Sequence, residues 1–218
     1  MQFTITNIII IITVLVSLGG FSNRKIIDDL IFYPPAVTKQ GQWYRFLTCG
    51  LIHADYIHLI FNMFSLYFFG EVVEKGLNTV STINGDVILF GQNGKWIYLF
   101  LYVSALLLSL LPTYIKNKNN YHYRSLGASG AVSAVIFAGL LLYPTGRIYF
   151  YFFPMPSFVF APLYLLFTAY MDRKGGDGIN HSAHLWGSLY GLAFMIIACM
   201  LVGFPILQRA IEQVKNYF

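Results

Sequence analysis

The sequence predicts an all-α, polytopic membrane protein built on six transmembrane helices, and three observations carry that prediction. Of 218 residues, 57% are hydrophobic and only 11% charged, with a mean hydropathy of +0.62. A soluble domain carries about 25% charged residues, and its water-facing surface is built largely from them. Six apolar runs approach the roughly 20 residues needed to cross a hydrocarbon core. The strongly polar residues inside those runs gather in three clusters. Together these argue against a soluble globular enzyme and exclude a disordered chain.

The runs lie at about 3–19, 51–73, 96–115, 127–143, 155–171 and 181–204, within one domain spanning 1–218. The first has no positively charged leader and no small-residue cleavage site after it, so it is expected as a retained helix rather than a signal peptide. Residues 20–50 mix Phe21, Ile27, Leu30 and Trp43 with Arg24, Lys25 and Asp28. That composition belongs to a segment lying in the membrane interface. Residues 76–94 are polar and Gly-rich, expected as a surface excursion with strand character, and 116–126 form a polar loop. The fourth and fifth runs are short, and Pro154, Pro156 and Pro162 disturb the start of the fifth. Cys49 and Cys199 lie far apart in apolar stretches, which offers neither a disulfide framework nor a CxxC site. The net charge of +5 is spread singly or in pairs, as suits loops near anionic head groups, so no nucleic-acid partner is expected.

Polar groups inside a bilayer are costly, and each is a functional hypothesis. The second helix carries His53, Asp55, His58 and Asn62; the fourth begins Gly127-Ala128-Ser129-Gly130; the sixth begins with His181 and His184. Helices two, four and six run in the same direction, and in each the cluster lies in the N-terminal half. The three can therefore meet at similar depth, opening toward one side.

A serine becomes a nucleophile when a base lies within hydrogen-bond reach, and Ser129 with His184 supplies that pair. Small neighbours allow close backbone approach around Ser129. A helix start leaves free N–H groups for an oxyanion, and His58 and Asn62, one turn apart, can donate to the same oxygen. Neither helix four nor helix six contains an acid, so a Ser–His dyad fits better than a triad. Each residue also has a structural reading. Gly127, Gly130, Ala134 and Ala138 suit tight helix packing, and Asp55 suits a helix cap. His53 suits a structural role or a place near the interface, and Glu71 and Glu74 suit the interface or a hydrogen bond to a neighbouring loop. His181 is expected nearer water than His184.

The chain resembles the rhomboid intramembrane serine proteases over most of residues 43–195. Tyr44-Arg45 stands at the opening aromatic–Arg pair, His53 to Asn62 reads HxxxxHxxxN, and Gly70 and Glu74 follow. Gly127-Ala128-Ser129-Gly130 matches GxSG, and Ala183-His184 with Gly187 and Gly191 matches the histidine-helix motif. The resemblance implies a rhomboid-like bundle with Ser129 as nucleophile and His184 as general base. It implies an oxyanion hole from His58, Asn62 and the Ser129 N–H, with Gly127, Gly130, Gly187 and Gly191 in support. It implies single-pass transmembrane proteins as substrates, cut within or near the bilayer, and no metal or organic cofactor. The expected location is the plasma membrane of a bacterium; the sequence carries no signal for oligomeric state. One departure stands out: where family members often carry an aromatic residue that stacks on the histidine, this chain has Ser133.

The charge rule conflicts with the family topology. Lys75, Lys95, Arg147, Arg209 and Lys215 make five basic residues on the side of the termini. Arg24, Lys25, Lys39, Arg45, Lys116, Lys118, Arg124, Arg173 and Lys174 make nine opposite. The count favours termini outside, whereas the resemblance implies termini in the cytoplasm, which we adopt. Two rival functions are an inactive rhomboid-like protein that binds membrane helices, and a channel or metal carrier lined by His53, His58, His181 and His184. A metalloprotease is disfavoured because no HExxH stretch exists.

Overall fold

The computed structural model describes residues 4–82, 85–150 and 153–218. In chain order the elements are α1 (Ile5–Ser22), α2 (Arg24–Leu30), α3 (Pro34–Gln40), α4 (Arg45–Thr48) and α5 (Tyr56–Asn78). A hairpin of β1 (Thr79–Thr82) and β2 (Gly85–Ile88) leads into α6 (Gly94–Asn117) and α7 (Ser129–Leu142). A second hairpin, β3 (Arg147–Phe150) and β4 (Phe153–Pro156), precedes α8 (Ser157–Lys174), α9 (His181–Leu201) and α10 (Ile206–Lys215). Both hairpins are antiparallel, with Thr79 opposite Ile88 and Arg147 opposite Pro156. The molecule is an all-α bundle with two small β appendages.

Helices α1, α5 and α9, and the stretch Gly91–Asn117 that contains α6, are long and apolar enough to cross a membrane. Helix α8 ends in Asp172-Arg173-Lys174. Helix α7, at 14 residues, rises only about 21 Å, short of a full crossing. It is the centre of the bundle, buried along its length except at Ser129, Ile136 and Leu141. Helices α5, α6 and α9 surround it.

The element ends differ from the apolar runs for local reasons. The expected first residue of helix one, residue 3, lies outside the described residues, and α1 runs on to Ser22. The second run begins before its helix because Cys49–Leu51 form a 3-10 turn and Asp55 caps α5. Helix four starts at Ser129 because Gly127 takes a left-handed φ of 108° that ends any helix there. Residues 155 and 156 belong to β4, with Pro156 setting the start of α8. The sixth helix stops at Leu201, ahead of Gly203 with φ 70°, and the chain then makes α10, which the apolar runs did not reveal. The interfacial segment at 20–50 folds as three short helices, α2 to α4.

Buried charges hold these pieces by their backbone. Arg45, 8% exposed, donates from Nη1 to the carbonyls of Asp28 (3.0 Å) and Ile31 (2.7 Å), tying α4 to the end of α2. Arg209 on α10 donates to the Leu142 carbonyl at the end of α7 (2.6 Å). Glu74 bonds to a helix start rather than to a loop. It is 6% exposed and caps α1, accepting from Ile5 N (2.9 Å), Thr6 N (3.0 Å) and Thr6 Oγ1 (2.8 Å). Its carboxylate thereby satisfies helix-start donors that lipid cannot.

Replacing Glu74 by Ala orphans these three donors and is expected to cost roughly 2–3 kcal/mol. Glu74→Gln, which keeps one acceptor oxygen, should cost less. Unfolding of the purified protein in mixed micelles by SDS titration checks both.

Candidate active site

Three helix starts build the site. At α5, the Asp55 side chain accepts from His58 N (2.8 Å), which fixes His58 in the first turn and Asn62 one turn further on the same face. Asn62 donates from Nδ2 to the His58 carbonyl (2.9 Å), leaving its second amide hydrogen for another acceptor. His53 precedes the helix and is 1% exposed. Its Nδ1 lies 3.0 Å from Ser17 Oγ on α1, and its ring stands at 73° to the His58 ring with centroids 4.9 Å apart. His53 therefore faces α1 and braces His58 from behind.

At α7, the Gly127 N–H donates to the Cys49 carbonyl (2.9 Å), and its positive φ turns the chain into the helix. A Cβ at Gly127 would meet His58 Cε1 at 2.7 Å, so the imidazole lies against the Gly-Ala-Ser turn. Ser129 is the first helical residue and no side chain caps this end. The free N–H groups of the first turn therefore point from the positive end of the helix dipole.

At α9, Asn180 Oδ1 accepts from Ala183 N (3.1 Å) and from Thr113 Oγ1 of α6 (3.1 Å), and His184 follows in the first turn. Backbone contact brings this helix to α7. A Cβ on Gly187 would collide with the Gly130 carbonyl, one on Gly191 with the Ala134 carbonyl, and one on Gly130 with Ser109 Oγ. The three starts border one cavity of about 940 Å³, lined by Asp55, His58, Asn62, Ser129 and His184. Among the described residues no hydrogen bond joins Ser129 to His184. Such pairs often tighten only once substrate is bound.

His181 departs from expectation. It is 5% exposed rather than nearer water, with Nε2 2.8 Å from Asp177 Oδ2. Its ring stands edge-on to Phe167 of α8 (5.9 Å) and to His184 (5.8 Å). Asp177, four residues earlier, is the sequence signal that marks this pair. The hydrogen bond from His181, with the Ile179 N–H, holds the Asp177 carboxyl below its ordinary 3.8. Ser133 is buried on α7, 4% exposed. Among the described residues no three His, Cys, Asp or Glu side chains gather closely enough to hold a metal ion.

A family model described as the Rhomboid domain matches residues 40–201, which contain all three helix starts. Rhomboid-like protein 11, chloroplastic, of Arabidopsis thaliana is 30% identical over 173 residues, covering 75% of this chain and 54% of that protein. RHOMBOID-like protein 12, mitochondrial, of the same plant is 26% identical over 154 residues, covering 69% and 45%. The chain thus spans about half the length of these plant relatives. Rhomboid protease GlpG of Haemophilus influenzae is 24% identical over 175 residues, covering 78% and 79%.

Gly191→Val should force α7 and α9 apart at Ala134, destabilising the bundle by roughly 1–3 kcal/mol and lowering its thermal midpoint in detergent. The lowered Asp177 carboxyl stabilises the fold fully above the unfolded value of about 3.9, and that contribution is lost as pH falls through the folded value. Asp177→Asn should flatten this acid limb in a plot of thermal midpoint against pH.

Proposed function

The chain belongs to the rhomboid family, and from this we propose that it is an intramembrane serine endopeptidase using a Ser129–His184 dyad. The observation that carries the reading is that Ser129, His184, His58 and Asn62 line one cavity of the bundle. The Ser129 hydroxyl attacks the scissile carbonyl while a His184 ring nitrogen takes its proton. The negative oxygen of the tetrahedral intermediate accepts from the Ser129 N–H, the free Asn62 amide hydrogen and a His58 ring N–H. His184 then returns the proton to the leaving amine, and water releases the acyl group from Ser129.

The substrates we propose are single-pass transmembrane proteins. An intact helix hides its carbonyls from a nucleophile, so cleavage requires a locally unwound segment, and small residues at the cut fit that requirement. The family includes a bacterial protein named as a protease alongside mitochondrial and chloroplastic relatives. We place this chain in a bacterial plasma membrane with its termini in the cytoplasm. The inactive helix-binding alternative is disfavoured because both Ser129 and His184 are present.

Fluorophosphonate labelling of the detergent-solubilised protein tests the dyad. Wild type should label, and Ser129→Ala and His184→Ala should not. His58→Ala should retain labelling yet cleave a transmembrane substrate about 10²-fold more slowly, the usual effect of removing one oxyanion donor. A folded wild type that fails to label would return the chain to the helix-binding reading.

A further inference from the structure

We infer that His181 is the positioning residue for His184, holding the imidazole of the general base by an edge-to-face ring contact. The inference rests on the protease reading for its consequence, and on geometry for the contact itself.

A histidine ring turns about a broad, weakly two-fold torsion, so a proton-accepting nitrogen needs something to fix its direction. The His184 ring has no hydrogen-bond partner among the described residues, and the ring set against it there is His181, at 5.8 Å and 81°. The other candidates are engaged elsewhere. Ser133, one turn along α7 from the nucleophile, is buried and carries no ring. Tyr164 packs on Phe137 and Phe160, and Trp186 is exposed.

His181 is itself immobilised. Asp177 holds its Nε2 at 2.8 Å, Phe167 closes on its other side at 5.9 Å, and the Asn180 cap fixes the backbone at the start of α9. The spacing is dictated by the helix, since residues three apart lie on one face. A perpendicular aromatic pair biases a two-rotamer ring by up to about tenfold. That is the contribution assigned to His181, delivered through orientation rather than through contact with substrate.

The test compares wild type, His181→Ala and His181→Phe in detergent, with imidazole ¹³Cε1 resonances assigned by the loss of a signal in His184→Ala. Steady-state cleavage of a transmembrane substrate is measured on the same samples. His181→Ala should shift the His184 resonance and lower kcat about tenfold with KM within about twofold. His181→Phe, which restores a ring edge, should return kcat to within about threefold of wild type. Should His181→Ala fail to fold, His181→Leu fills the same space without an aromatic edge and takes its place. An unmoved His184 resonance, a change in KM alone, or a loss that His181→Phe does not recover would overturn the assignment. If wild type itself neither labels nor cleaves, the protease reading fails, and the resonance shift alone decides whether His181 holds His184.

Discussion

The backbone-to-backbone contact between α7 and α9 is the constraint on which the remaining geometry depends. Helices in lipid gain little from burying apolar side chains against one another, because the lipid tails are equally apolar, so close approach supplies the attraction. Gly187 and Gly191 leave room for the carbonyls of Gly130 and Ala134 where any Cβ would collide. On its other side Gly130 admits Ser109 of α6 in the same way. Ser129 and His184 line one cavity because each lies in the first turn of a helix whose next turns are locked at this distance.

A second constraint is the absence of water from most of the bundle's surroundings. Helix ends there need acceptors and donors from the protein. Asp55, Asn180 and Glu74 supply acceptors for the starts of α5, α9 and α1, and Arg209 supplies a donor for the end of α7. The start of α7 lacks such a side chain and instead borders the cavity that His58, Asn62 and His184 also line.

Much of the bundle was legible in the sequence because its signals are local. Apolar runs located the long helices, and the polar cluster in each of the second, fourth and sixth runs identified the side chains that line the cavity. What was missed depends on partners distant in sequence. Glu74 reads as an interfacial acid until α1 is folded back against it, 68 residues away. His181 reads as a watery helix start because hydropathy cannot show that Phe167 covers it. The second hairpin was masked by aromatic residues that count as apolar whether in strand or helix, and α10 was hidden because it alternates apolar with charged residues.

Ser133 is 4% exposed on α7, and Tyr164 of α8 packs against Phe137, also on α7, with ring centroids 5.6 Å apart. Phe137 lies one turn along α7 from residue 133, so a bulkier side chain at 133 would compete with the Tyr164 ring for space. A change of size at 133 on α7 would therefore be met on a different helix, at a residue 31 positions later in the chain.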